Sequence, residues 1–367
     1  MNDYIEMLMG ELNMLKEFFG TSRSGKRTHL YTLINKQGTQ LVVSDFGAII
    51  RKLIVRDKSD MSVDVVLGYE SLEKYTTNYD TYFGATVGRV ANRIKDGKFN
   101  LDGKKYTLDQ NNDGNCLHSG FNGYHTRLWK VTDYRDSVIS LSLTSPDKDQ
   151  GFDGNLQLTV TFELTDHNEL VVTYEGNSDK KTLFNPTNHT YFNLNGHKSG
   201  SILNHDLTIE ADYFVPVGPN MIPTGDFQLV TDTPMDFRTE TKIGKRLNDP
   251  FDQFVLTKGY DHHFVTKEGP DSHLGLKTIA HAKGDLSGIK MTVISDRPGV
   301  QLYTANFVSD ELGKDGAEYQ ARDGFCLETQ YAPDAINQTN FAKPIIFPNK
   351  KVVTQTIFKF NTTNESE

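Results

Sequence analysis

The chain has 367 residues, with 39 Lys and Arg against 48 Asp and Glu, for a formal net charge of −9. That acidic balance excludes a general nucleic-acid binder, which needs a basic face. A hydrophobic share of 37% without sustained charge runs excludes a disordered chain, and no stretch approaches the ~20 consecutive apolar residues of a membrane helix.

The length suffices for a large core without covalent staples and admits either two ordinary domains or one large all-β unit. At the N-terminus, Asp3, Glu6 and Glu11 precede any Lys or Arg. This is the wrong charge for a signal or transit peptide and points to the cytoplasm. Ile5, Leu8, Met9, Leu12 and Leu15 recur at three- and four-residue spacing. The pattern predicts an amphipathic helix that ends near Phe19-Gly20. Residues 1–14 read as a helical extension packed on the main domain, with an oligomer contact as the other use of such a stripe.

Downstream the period changes to two. Ile139, Leu141 and Leu143 alternate with serines. Leu156, Leu158, Val160, Phe162 and Leu164 alternate with polar residues, as do Ile289, Met291 and Val293. Thr354, Thr356, Phe358 and Phe360 share one parity. These are half-buried antiparallel strands. The turn dipeptides Asp102-Gly103, Asp113-Gly114, Asp153-Gly154, Asn195-Gly196 and Asp315-Gly316 punctuate them. No Pro/Ser-rich linker and no fixed repeat divides the chain, so residues 15–367 read as one large all-β sandwich or barrel-like domain. Cys116 and Cys326 form neither a disulfide framework nor a CxxC zinc spacing and read as two buried free thiols.

Dinucleotide and P-loop signatures are missing, as are HExxH and GxSxG. Asp147 to Gly151 resembles the start of a calcium loop but lacks its fifth and twelfth ligands, so it reads as a charged turn. Five polar clusters remain. Asn92 and Arg93 can direct several hydrogen bonds at neutral oxygens. His118 is flanked by small residues that let a ligand approach. His189 sits in an apolar, amide-rich strand where burial can tune its pKa. Asp261 precedes the adjacent pair His262-His263, which on a strand point to opposite faces and so do not share a metal. Glu328 lies amid apolar residues, where burial would raise its pKa and suit it to general-base work. Carboxylate, imidazole, amide and guanidinium groups meeting in a cleft fit cofactor-free sugar chemistry.

The stretches Phe83 to Ile94, Leu117-His118-Ser119-Gly120, Asn185 to Leu194, Gly259 to His262, Pro298 to Phe307, Phe325 to Gln330 and Pro333 to Ala335, in that order, resemble the aldose 1-epimerase (galactose mutarotase) family. The resemblance runs from about Leu15 to Phe360. Ser119 stands where the family pattern has glycine, and residues 1–14 lie outside the pattern. The resemblance implies a single large antiparallel β-sandwich of the galactose mutarotase supersandwich type. It implies no cofactor, no metal and a small aldose as the partner, handled by a monomer or homodimer. Carried onto this chain, Glu328 is the general base, His189 the general acid, and His118 the group that holds and polarises the sugar. Asn92, Arg93, Asp261 and Gln301 are further sugar contacts. In that scheme Glu328 is a carboxylate and His189 an imidazolium. Other uses of the same fold are a non-catalytic sugar-binding module and a hexose-phosphate mutarotase, which needs a basic phosphate clamp.

Overall fold

The computed structural model describes residues 14–266 and 275–362. The largest sheet has nine strands, in the spatial order Lys130–Arg135, Val138–Ser145, Leu156–Leu164, Glu169–Ser178, Val352–Thr362, Ile289–Ser295, Lys277–Lys283, Asp206–Ile209 and Thr241–Lys242. The alternating pattern sorts its side chains as the sequence predicts. Leu156, Leu158, Val160, Phe162 and Leu164 are buried, whereas Gln157 and Glu163 face solvent. Thr354, Thr356, Phe358 and Phe360 all point inward. The inward hydroxyl of Thr356 bonds to those of Ser295 and Thr329, so its polarity is satisfied inside the core.

A second sheet is an N-terminal meander of Met14–Thr21, Arg27–Ile34, Gln40–Ser44, Ile49–Arg56 and Ser62–Asp64. Here the expected N-terminal helix needs correction. Its last part, Met14–Thr21, is an edge strand paired with Arg27–Ile34. Cross-strand pairing overrides the weak helical period: Phe19 packs inward near Tyr75, while Phe18 stays exposed beneath the Arg27 guanidinium. The remainder of the predicted helix, Ile5 to Leu12, lies outside the described residues.

The third sheet carries the site. Its strands run in the order Gln228–Leu229, Ala211–Val215, Asp261–Thr266, Gly299–Tyr303 and Cys326–Gln330. One face contributes Phe264, Val300, Leu302 and Leu327 to a hydrophobic core that also holds Phe162 and Phe358 of the nine-stranded sheet and Leu41 and Leu53 of the meander. Sheets packed face to face around a common core are the expected β-sandwich.

Local signals also hold. Asp102 and Gly103 both take positive φ and close the hairpin between Lys98–Leu101 and Lys104–Thr107. The acidic turn binds basic side chains, Asp147 to Lys180 and Asp149 to Arg127. Cys116 and Cys326 are free and buried. No helix among the described residues is long and apolar enough to cross a membrane.

The inward and outward faces of one strand give a direct check. Phe162→Ala empties a fully buried site and is expected to cost ~3–5 kcal/mol. Its exposed neighbour Glu163→Ala should stay within ~0.5 kcal/mol. Denaturant midpoints of the two variants test the assignment.

Candidate active site

Strand alternation builds the floor of the site. Asp261 pairs with Tyr303, which pairs with Cys326, and one pleat along, His263 pairs with Gln301, which pairs with Glu328. Because side chains two residues apart share a face, all six lie on the side turned away from the core. His262, between Asp261 and His263, points the other way and bonds Gln253. The two histidines therefore occupy opposite faces, as expected.

Loops bring the remaining groups over this floor. His189 ends the strand Thr187–His189, held against Ala85–Val87. The pair Arg93–Ile94 and Cys116–Leu117 carries Asn92, Arg93 and His118 to the same place. Asn92 and His118 both adopt left-handed backbone, with φ of 60° and 48°. Asn92 stabilises its own turn by accepting the Arg93 main-chain N–H at 2.8 Å. Ser119 is left-handed too, with φ of 70°, a conformation that explains the glycine of the family pattern. Its hydroxyl accepts the Val90 N–H at 2.8 Å and donates to the Val90 carbonyl at 3.2 Å. These bonds offset a strain of about 1–2 kcal/mol.

The result is a cleft of about 320 Å³ lined by Asn92, Arg93, His118, His189, Asp261 and Glu328. Gln301 joins them from below, donating its amide to Asp261 Oδ1 at 2.7 Å. Arg93 lies 3.9 Å from Asp261 Oδ2 and donates to Asn112 at 3.0 Å. All seven residues expected from the sequence thus converge. Several wall residues were not expected. Tyr82 packs its ring 4.5 Å from His118 and 5.5 Å from His189, Tyr303 supports His189, and the half-exposed Phe307 stands at the rim. Each adjoins or lies within a recognised motif, which was the available signal. Conversely, Arg89 of the same motif as Arg93 is fully buried elsewhere, bonded to Ser145, Asp153, Gly154 and Thr182. A larger hollow of about 660 Å³ beside His263, Tyr331 and Phe341 contains none of the acid–base residues.

Glu328 is 2% exposed and His189 5%, and His189 Nε2 stands 3.6 Å from Glu328 Oε1. Burial pushes His189 down to about 4. Burial, aided by the charge of Asp261 and opposed by that of Arg93, pushes Glu328 well above the usual carboxylate range. Both shifts favour the uncharged forms. The carboxylate and imidazolium expected from the sequence must therefore form against the push of burial. With each group pushed towards its uncharged form, burial favours the state in which the pair carries one proton, on Glu328. Glu328 Oε2 and Gln301 Oε1 are buried without a hydrogen-bond partner among the described residues, so both can accept from a ligand hydroxyl.

Ligand atoms of His118, His189 and Glu328 fall within 4.8 Å of one another, a spacing that could hold a cation. The hydrogen bonding of His118 opposes this. Its Nδ1 accepts the Asn92 main-chain N–H at 3.1 Å, so the neutral ring carries its hydrogen on Nε2. That nitrogen is a donor suited to a sugar oxygen, not a lone pair for a metal. Burial also holds His118 well below the ordinary histidine range, so it stays neutral.

A family model described as aldose 1-epimerase matches residues 29–359. The chain belongs to the aldose 1-epimerase family. Galactose mutarotase of Homo sapiens is 39% identical over 350 residues, covering 95% of this chain and 99% of that protein. Aldose 1-epimerase of Escherichia coli (strain K12) is 34% identical over 350 residues, with the same coverage. The crystal structure of an aldose epimerase homologue from C. elegans matches with a TM-score of 0.84 at 30% identity, covering 91% of this chain and 99% of that one. Galactose 1-epimerase from Lactobacillus acidophilus matches at 0.82 and 27% identity, covering 95% and 98%.

The shared proton sets the pH dependence. The one-proton pair persists until a second proton adds, near the depressed His189 value of about 4, or until the last one leaves at the raised value of Glu328. A bell-shaped kcat/KM profile is expected, with its acid limb near pH 4 and not near the ordinary histidine value of 6.5. An acid limb at the ordinary value would contradict the burial argument.

Proposed function

We propose that this chain, as an aldose 1-epimerase, interconverts the α and β anomers of free aldohexoses such as galactose and glucose. The observation that carries the mechanism is the 3.6 Å separation of His189 Nε2 and Glu328 Oε1, both buried, in a cleft lined by amide, guanidinium and carboxylate groups. The ring oxygen and the anomeric hydroxyl of a sugar are bonded to one carbon. An acid for the first and a base for the second must therefore stand within a few ångström of each other.

In the reactive form the shared proton lies on His189. Glu328, as carboxylate, takes the proton of the C1 hydroxyl while His189 gives its Nε2 proton to the ring oxygen. The bond from C1 to the ring oxygen breaks, and the open aldehyde forms. At that moment the pair is uncharged, protonated Glu328 beside neutral His189, which is the form that burial favours. The desolvated cleft thereby stabilises the state that accompanies the open chain. Rotation about C1–C2 presents the other carbonyl face, and the two groups exchange roles as the ring closes. His118 supplies a fixed Nε2–H donor near the ring oxygen. Asp261, Gln301, Arg93 and Asn92 hold the remaining hydroxyls. Protons balance over the cycle with no net oxidation or reduction, and the proposal includes neither cofactor nor metal.

A cleft of 320 Å³ lies at the small end of ligand pockets, which run about 300–1,000 Å³. It suits one monosaccharide. Arg93 is the only cation in its described lining, and it stands among Asp80, Asp113, Asp261 and Glu328. This opposes a sugar phosphate, and the buried acid–base pair opposes a purely binding module. We further propose that the catalytic unit spans residues 15–367, with residues 1–14 as an extension, and that the enzyme works in the cytoplasm on an uncharged substrate.

Polarimetry of freshly dissolved α-D-galactose or α-D-glucose tests the reaction directly. Glu328→Gln and His189→Asn should each lower kcat by on the order of 10²–10⁴. Near-full activity in either variant would remove that residue from the mechanism. Asp261→Ala removes a sugar contact and leaves the pair in place, so KM should rise more than kcat falls. An unchanged KM would count against that contact.

A further inference from the structure

Both histidines of the cleft have a polar neighbour at Nδ1, and the two neighbours differ in kind. His118 Nδ1 faces the Asn92 main-chain N–H, which can only donate. His189 Nδ1 faces the sulfur of Cys326 at 3.7 Å, a group that can accept. Cys326 is fully buried and lies two residues before Glu328 on the same strand and the same face.

The chemistry of ring opening decides which hydrogen His189 must keep. Nε2 gives its proton to the ring oxygen and recovers it on closure, so it alternates between N–H and a bare lone pair. A neutral imidazole with a bare Nε2 carries its hydrogen on Nδ1. That Nδ1–H is buried and needs an acceptor. The other rings around His189 belong to Tyr82, His118, Tyr191 and Tyr303. They form its walls, with centroids 5.1 to 6.3 Å away. Glu328 is engaged on the Nε2 side, and the ring also makes a hydrogen bond to its own main-chain carbonyl.

We infer that Cys326 is a positioning residue: its sulfur accepts the Nδ1–H of His189 and holds that ring in the tautomer whose Nε2 is free to shuttle the proton. His118 and His189 then occupy opposite tautomers, one a permanent donor to the sugar and the other a proton carrier. The inference rests on the acid role proposed for His189. A neutral, polarisable acceptor suits that role. A carboxylate at Nδ1 would favour the imidazolium and hold back the proton that must leave. The thiol does not become such an anion, because burial, with the charges of Glu328 and Asp261, pushes its pKa well above the ordinary range.

The test combines histidine-selective ¹⁵N NMR of the sugar-free protein with steady-state polarimetry on galactose. In the unmodified protein His189 should show a protonated Nδ1 and an unprotonated Nε2, and His118 the reverse. Cys326→Ala should give a mixture of His189 tautomers and lower kcat about threefold to tenfold, with KM held within about twofold. Cys326→Ser keeps an acceptor and should restore both the single tautomer and most of kcat. A His189 ring that carries its hydrogen on Nε2 in the unmodified protein overturns the inference, as does an alanine variant with unchanged tautomer and kcat. The ring signals do not depend on turnover. Absence of mutarotation would therefore overturn the proposed function separately from the tautomer result.

Discussion

The site depends on the two-residue period of three adjacent strands. Asp261–Thr266, Gly299–Tyr303 and Cys326–Gln330 set Asp261, Gln301 and Glu328 on one parity and Phe264, Val300, Leu302 and Leu327 on the other. Phe264, Val300, Leu302 and Leu327 bind this sheet to the common core. That anchorage holds Asp261, Gln301 and Glu328 rigidly in register on the opposite face. A one-residue slip would send the carboxylates into the core and the leucines into the cleft. The energy that stabilises the sandwich therefore also specifies the catalytic geometry.

Burial of that second face gives the acid–base pair its character. In water, Glu328 would be an anion and His189 would titrate near neutrality. Here both lose most of their hydration, and each is pushed towards its uncharged form. Two groups close together with opposed shifts behave as one site with one proton. Such a pair can pass a proton through a substrate with little net change of charge in the cleft. The neighbours tune this further: Arg93 opposes the rise of Glu328, and Asp261 adds to it.

The upper half of the site depends on backbone conformations that most residues avoid. Tyr82, Asn92, His118 and Ser119 all have positive φ. Each carries strain that its surroundings must over-determine. Asn92 does so with its own side chain, Ser119 through Val90, and His118 by donating its main-chain N–H to the Asn92 carbonyl and accepting the Asn92 N–H at Nδ1. The sequence marked Asn92, His118 and Ser119 as unusual by type and setting. Spacing alone could not show that the first two fold towards the same cleft as a strand more than two hundred residues away; only the family resemblance implied it.

By itself, the sequence determined the fold class, the strand faces and the seven residues that meet in the cleft. Period-two alternation is a local property, and the family motifs carry side chains whose chemistry is local too. Tertiary structure decided what depends on neighbours distant in sequence. Pairing with Arg27–Ile34 turned Met14–Thr21 into a strand against its helical stripe. Packing placed Arg89 in the interior and Arg93, four residues on, beside Asp261. Desolvation, a sum over every surrounding element, pushes both Glu328 and His189 towards their uncharged forms. Packing also set a buried thiol, legible in the sequence only as a free cysteine, 3.7 Å from Nδ1 of His189.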